Sequence, residues 1–369
     1  MKTRSMRLMG ALAAMAALAV GVAACGSSDD SSTSSDSGSG SKVGGTINGS
    51  GSTFAAPIYQ QWGSTLKSDQ GLTVNYQGVG SGQGISELTA GTVNFAGSDP
   101  PMTDEELAAA KKKGAPLHFP TALGAITVSY NLQGVKTGLK LTGPVIADMF
   151  SGAITKWNDP AIAKLNAGVS LPANDITVVH RSDSSGTTKG FTGYLAAVSP
   201  TWEKQVGTDK TVKWPTGTGA KGNDGVAAAV KQTPNSVGYV EEAYALQNKF
   251  TTAAIQNKAD NFVAPTLAST TAGGEGIKIP SDLRFTIENP PNPQAYAITS
   301  QTFVITYQDS CKAGFSEQVA KGLKAFLTYA LGDGQNALAQ LQYAKLPTAI
   351  LDKAKAQLSK LQCNGKAVS

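Results

Sequence analysis

From residue 45 onward, short apolar runs alternate with turns of small polar residues and with apolar positions spaced three and four apart. Residues 45–49 predict a short strand. Gly49-Ser50-Gly51-Ser52-Thr53-Phe54 then leads into a helix with Ile58, Trp62 and Leu66 at i, i+4 and i+8. Pro57 fits because the first helical turn has no N–H bond to lose. Residues 72–76 predict the next strand, 78–84 a glycine-rich turn, and Ile85 with Leu88 a short helix stopped by Gly91. Residues 93–96 predict a strand ending at Gly97-Ser98-Asp99-Pro100, and Thr103 to Glu106 a capping box for the helix that follows.

The same unit recurs later. Ile176-Thr177-Val178-Val179 predicts a strand, and Phe191, Tyr194, Leu195 and Val198 a helix. Residues 213–220 read as loop, Gly222-Asn223-Asp224-Gly225 opens a helix at Val226, and 236–240 and 302–307 read as strands. The last 55 residues read as helices, with Val319, Leu323, Phe326 and Leu327 on one face. Residues 250–290 carry no clear period. Strand, small-residue turn, helix is the signature of α/β layers with parallel strands. Ligands of such sheets sit at the carboxyl ends of strands, beside helix N-termini. Ser52, Thr53, Ser81, Asp99 and Arg181 to Thr187 all fall at such ends. Their wide spread along the chain predicts convergence from two lobes.

The first 24 residues stand apart. Lys2, Arg4 and Arg7 precede an apolar run from Leu8 to Val20, shorter than the roughly 20 residues of a membrane span. Val22-Ala23-Ala24-Cys25 resembles a bacterial lipobox, which implies cleavage before Cys25 and its acylation; the alternative is an ordinary secretory leader. Residues 25–43 read as the lipidated Cys and a tether of Ser, Gly and Asp, too polar to bury a core. Removing the three leader charges lowers the net charge from +5 to +2, so no nucleic-acid partner is implied. About 325 residues remain, enough for two lobes. Cys311 and Cys363 are left as a pair in an exported chain, which predicts a disulfide; the alternative is two buried thiols.

The densest chemistry is His180-Arg181-Ser182-Asp183-Ser184-Ser185-Gly186-Thr187-Thr188, with one guanidinium, one carboxylate and five hydroxyls in nine residues. At a strand-to-helix turn this set suits an oxyanion: Arg grips two oxygens, and hydroxyls and N–H groups donate to the rest. Asp183 is free to hold the Arg181 fork as a supporting partner. An ionised Asp99 beside an anion is right only if the anion keeps a proton; sulfate has none to offer. Plainer readings exist for each residue. Arg181 and Asp183 make a surface ion pair, Ser52 and Thr53 are N-caps, and Ser81 and Asp99 are turn formers. Joint placement at strand ends weighs against these. Catalysis is disfavoured. Neither G-x-S-x-G nor a P-loop is present, and His118 and His180 are not at metal-ligand spacing. His180 reads as a strand-end residue, and Glu241-Glu242 as a solvated helix face or turn.

At these residues the chain resembles the phosphate-binding proteins of bacterial phosphate ABC transporters (PstS type). The matching stretches are GSGSTFAAPIYQQW, VNYQGVGSGQG, VNFAGSDPPMTDEEL, FSGAITKWNDPAIAKLN, HRSDSSGTT, VKWPTGTGAKGNDG and VGYVEEAYA, with a weaker match from AYAITSQTF onward. The resemblance implies a two-lobed periplasmic-binding-protein fold (type II). Each lobe is a mixed sheet flanked by helices, with two hinge crossings. Lobe one is 44–121 plus 292–369, and lobe two is 122–291. It implies phosphate ligands at Thr53, Phe54 (main chain), Ser81, Asp99, Arg181, Asp183, Ser185, Gly186 (main chain) and Thr187. The departures are Cys311/Cys363, which many relatives lack, and Gly82-Gln83, where relatives often carry Ser-Gly. The expected function is a lipid-anchored, monomeric receptor on the outer face of the cell membrane. It delivers inorganic phosphate to the membrane subunits of an ABC importer, without cofactor, metal or catalysis. The alternatives are a receptor for another oxyanion, a secreted phosphomonoesterase acting through Ser81 or Ser185, and a surface adhesion role.

Overall fold

In the computed structural model, which describes residues 42–369, the strand–turn–helix units stand side by side. The leader, Cys25 and nearly all of the tether lie outside the described residues. β1 (Thr46–Gly51), β2 (Thr73–Gly78) and β3 (Phe95–Ser98) are parallel, with β1 in the middle. α1 (Ala56–Gln70) and α2 (Ser81–Ala90) end on Gly71 and Gly91 at φ +69° and +81°. Glycine takes this left-handed backbone without a Cβ penalty, so both helices stop where the sequence places the glycines. α3 (Asp104–Lys111) opens with the predicted capping box: Thr103 and Glu106 each accept the other's backbone N–H.

β4 (Pro116–Asn131) ties the lobes together. It is buried over most of its 16 residues. Its second half alternates apolar and polar from Ile126 to Asn131, yet Thr127 and Ser129 are buried as well, because the strand is covered on both faces. Up to Ala125 it pairs antiparallel with β8 (Thr299–Tyr307); from Ile126 it pairs antiparallel with β7 (Ser236–Glu241). Beyond β7 lie β5 (Thr177–Arg181) and β6 (Thr218–Ala220), each parallel to its neighbour. The order is β2-β1-β3-β8-β4-β7-β5-β6. The sheet is mixed, as the resemblance implies: β4 runs the same way as β1 to β3, and β8, β7, β5 and β6 run the opposite way. One sequence expectation changes here. Residues 213–220 are not all loop, since the last three add an edge strand.

α4 (Gly186–Val198) and α5 (Gly222–Gln232) pack beside β5 and β7, α6 (Glu242–Gln247) follows β7, and α7 (Glu317–Leu331) covers the first lobe. Buried aromatics anchor both lobes. Phe95 lies 5.1 Å from Phe326 in the first, and Phe191 stacks on Tyr239 at 4.3 Å in the second. Residues 250–290 hold two- and three-residue strands and one seven-residue helix, Leu267–Gly273, too short to show a period.

Cys311 and Cys363 form a disulfide across 52 residues, joining the turn after β8 to the C-terminal hairpin. Closing a loop of that length constrains the unfolded chain by about 4 kcal/mol. Cys311→Ser should lower unfolding stability by about that amount in urea titrations. Equal stability with and without reductant would refute this.

Candidate functional site

The carboxyl ends of β1, β2, β3, β5 and β6 deliver five turns to one place. Thr53 Oγ1, in the turn after β1, accepts from the Asn223 backbone at 3.2 Å and from its side chain at 3.0 Å, at the start of α5. The Gly82 N–H, in the first turn of α2, donates to the Ser184 carbonyl at 3.1 Å. A Cβ on Gly186 would come within 2.4 Å of both Asp99 Oδ2 and Ser81 Oγ, so only glycine lets the α4 start approach them. Thr53, Ser81, Asp99, Arg181, Asp183, Ser185, Gly186 and Thr187 are thus brought together, with Phe54 adjacent in the same turn as Thr53.

Arg181 ends β5 and is almost fully buried. Its backbone N–H donates to the Tyr239 hydroxyl at 3.0 Å, which ties it to the aromatic core. Nε and Nη2 grip Asp183 Oδ1 and Oδ2 at 2.7 and 2.5 Å; Nη1 reaches Thr187 Oγ1 at 3.4 Å. The surface-pair reading of Arg181 and Asp183 therefore fails: their side chains are 1% and 10% exposed. Burial works to raise the pKa of Asp183. The Arg181 bonds and charge and the Gly222 N–H outweigh it and hold the carboxyl below its ordinary range.

Asp99 follows β3. Its Oδ1 accepts from Ser52 Oγ at 2.6 Å and Thr302 Oγ1 at 2.9 Å. Oδ2 has only a 3.5 Å contact with Ser81 Oγ and faces the α4 start. Burial pushes its pKa up to about 6, against the pull of the Ser52 and Thr302 bonds and the Arg181 charge. Ser185 caps α4 by accepting the Thr188 N–H at 3.0 Å, which leaves its hydroxyl proton free to donate.

Thr302, Asn223, Tyr239 and Tyr244 are supporting partners that sequence reasoning did not place, and Ser52, placed at a strand end, joins them. Ser52 is no cap of α1: its oxygen accepts the Ala55 N–H while its proton goes to Asp99. Thr302 lies inside a strand, where no local signal marks it. Glu241 and Glu242 correct a further expectation. Both are buried, because β7 ends inside the junction of the lobes rather than at its rim. His118 is buried and accepts the Met102 N–H, and burial lowers its pKa to about 3. His180 stacks on Trp214 at 4.7 Å. Neither histidine is paired with a serine or threonine hydroxyl among the described residues. The arrangement offers one cation, several hydroxyls and helix-start N–H groups, and one buried carboxylate with an oxygen to spare. That is equipment for holding a compact oxyanion.

Fold and constellation together define a two-lobed binding protein. The model of the PBP superfamily domain matches residues 32–333. The phosphate-binding protein PstS of Pasteurella multocida is 42% identical over 315 residues, 85% of this chain and 89% of the relative. PstS of Haemophilus influenzae is 39% identical over 317 residues, 85% and 92% of the two chains. Among solved structures, a high-affinity periplasmic phosphate-binding protein bound with phosphate aligns with a TM-score of 0.68 at 23% identity, over 88% of this chain and 96% of that one. A phosphate-binding protein from Stenotrophomonas maltophilia aligns with a TM-score of 0.67 at 20% identity, over 85% and 94%. The chain belongs to the PBP superfamily and, within it, to the PstS family of phosphate-binding proteins.

Proposed function

We propose that this protein captures inorganic phosphate between its lobes, outside the cytoplasm, and delivers it to the membrane subunits of an ABC importer. The observation that carries the reading is the pairing of an Asp183-held Arg181 with a buried Asp99 whose Oδ2 is left for a ligand proton. Phosphate retains a proton near neutral pH and needs both an anion grip and one acceptor. The ligand set is Thr53, Ser81, Asp99, Arg181, Asp183, Ser185 and Thr187, with the Phe54 and Gly186 main chains; Asp183 acts by orienting Arg181. The names of the relatives support the ligand. The lobes are 44–121 plus 292–369 and 122–291, a division supported by the exchange of β4 partners after Ala125. The protein works as a monomer and catalyses nothing.

Calorimetric titration with phosphate and then sulfate, after stripping bound phosphate, tests this reading. One-to-one phosphate binding without sulfate heat is the expected result. No heat with phosphate would overturn it. Cys25 is the lipidated residue that holds the receptor at the membrane, with residues 25–43 as its tether. Cys25→Ser should release the protein into the medium or periplasm, read by fractionation; continued membrane retention would refute the anchor.

A further inference from the structure

Glu241 lies at the end of β7, where β4 exchanges partners, and takes no part in the ligand set. It is fully buried. Its Oε2 stands 2.8 Å from the Tyr343 hydroxyl and accepts the Ala243 N–H at 2.9 Å, while Oε1 is buried without a partner. The same Tyr343 hydroxyl stands 2.6 Å from the Phe54 carbonyl. Three oxygens thus lie in a row: Phe54 O, Tyr343 Oη, Glu241 Oε2. Two hydrogen bonds along that row need two protons, and a tyrosine hydroxyl brings one. A carbonyl can bring none. The missing proton belongs on Glu241.

We propose that Glu241 is a neutral carboxylic acid that donates to Tyr343, so that Tyr343 donates to the Phe54 carbonyl and fixes the Phe54 main chain at the cleft. Tyr244 completes the clamp by donating to the Thr53 carbonyl at 2.7 Å, across the peptide that carries the Phe54 N–H. Glu241 is a positioning residue: it acts on the ligand through Tyr343 and Phe54. The groups around it agree with a neutral acid. They are Tyr343, Glu242, Tyr244 and Asp99, and none of them is a cation. A charged Glu241 would leave Oε1 as a bare buried anion and would repel both Asp99 and an anionic ligand. Burial, with Glu242 and Asp99 adding to it, places the pKa of Glu241 well above the carboxylate range. The binding half of the proposal rests on the phosphate reading; the protonation half does not.

Infrared difference spectra of the full protein against Glu241→Gln, recorded near neutral pH, test the protonation directly. A protonated-carboxyl C=O band present in the parent and lost in the variant is the expected result; its absence would overturn the proposal. Phosphate titrations test the positioning. Tyr343→Phe should weaken binding about tenfold, the weight of one lost neutral hydrogen bond. Glu241→Gln keeps a neutral donor for Tyr343 and should stay close to the parent. A loss in Glu241→Gln equal to that in Tyr343→Phe would refute the relay. If the parent itself binds no phosphate, the receptor reading fails and the infrared result alone decides the state of Glu241.

Discussion

Arg181→Ala is expected to lower phosphate affinity on the order of a thousandfold, from two charge-assisted hydrogen bonds at about 2 kcal/mol each. Calorimetry reads that loss. Folding stability should fall as well, because Asp183 would remain a mostly buried carboxylate with the Gly222 N–H at 3.1 Å as its remaining donor outside the lost fork. Breaking a buried pair from one side typically costs about 3–5 kcal/mol. The double variant Arg181→Ala/Asp183→Ala removes that stranded charge. It should recover part of the stability and none of the binding. Recovery of binding in the double variant would mean that Arg181 acts on the fold and not on the ligand.

Asp99→Asn is expected to change which anion is accepted. Asparagine keeps an oxygen for Ser52 and Thr302 and places an amide donor where Oδ2 stood. Phosphate should bind about ten- to a hundredfold more weakly, having lost one charged acceptor for its proton. This loss should be smaller than that of Arg181→Ala. Sulfate, which a charged carboxylate would repel, should become a measurable ligand. Unchanged selectivity in a paired titration would rule out this role for Asp99.

The same residue shapes the pH profile. Its pKa rises from 3.8 to about 6 on folding, so between those values the unfolded chain gives up its proton first. As pH rises through that window, the folded state should lose about 3 kcal/mol from this group; below it there is no such loss. Asp99→Asn should remove this part of the stability curve. Sulfate binding to the parent should strengthen as pH falls through about 6, because a protonated Asp99 can donate.

Much of the site is legible in one dimension because its residues sit at element junctions. Small residues and hydroxyls between an apolar run and a helical period mark a strand end, and a strand end marks a ligand edge. That logic reaches Thr53, Ser81, Asp99 and the 181–187 cluster. It fails for Thr302 and Gln301, which hold Asp99 from the middle of β8. It also fails for Glu241, whose paired glutamates look solvated until β4 and Tyr343 close over them.

The sequence by itself determined the α/β units, their glycine stops, the capping box at Thr103 and a set of residue types suited to an oxyanion. These depend on neighbours within a turn or two, where backbone geometry and side-chain spacing act directly. Tertiary structure alone decided that β4 serves both lobes, that Asp99 keeps one free oxygen, and that a carboxyl at position 241 needs a proton. Each depends on partners up to 203 residues away, brought close by sheet order and burial, and burial is what turns ordinary side chains into shifted acids.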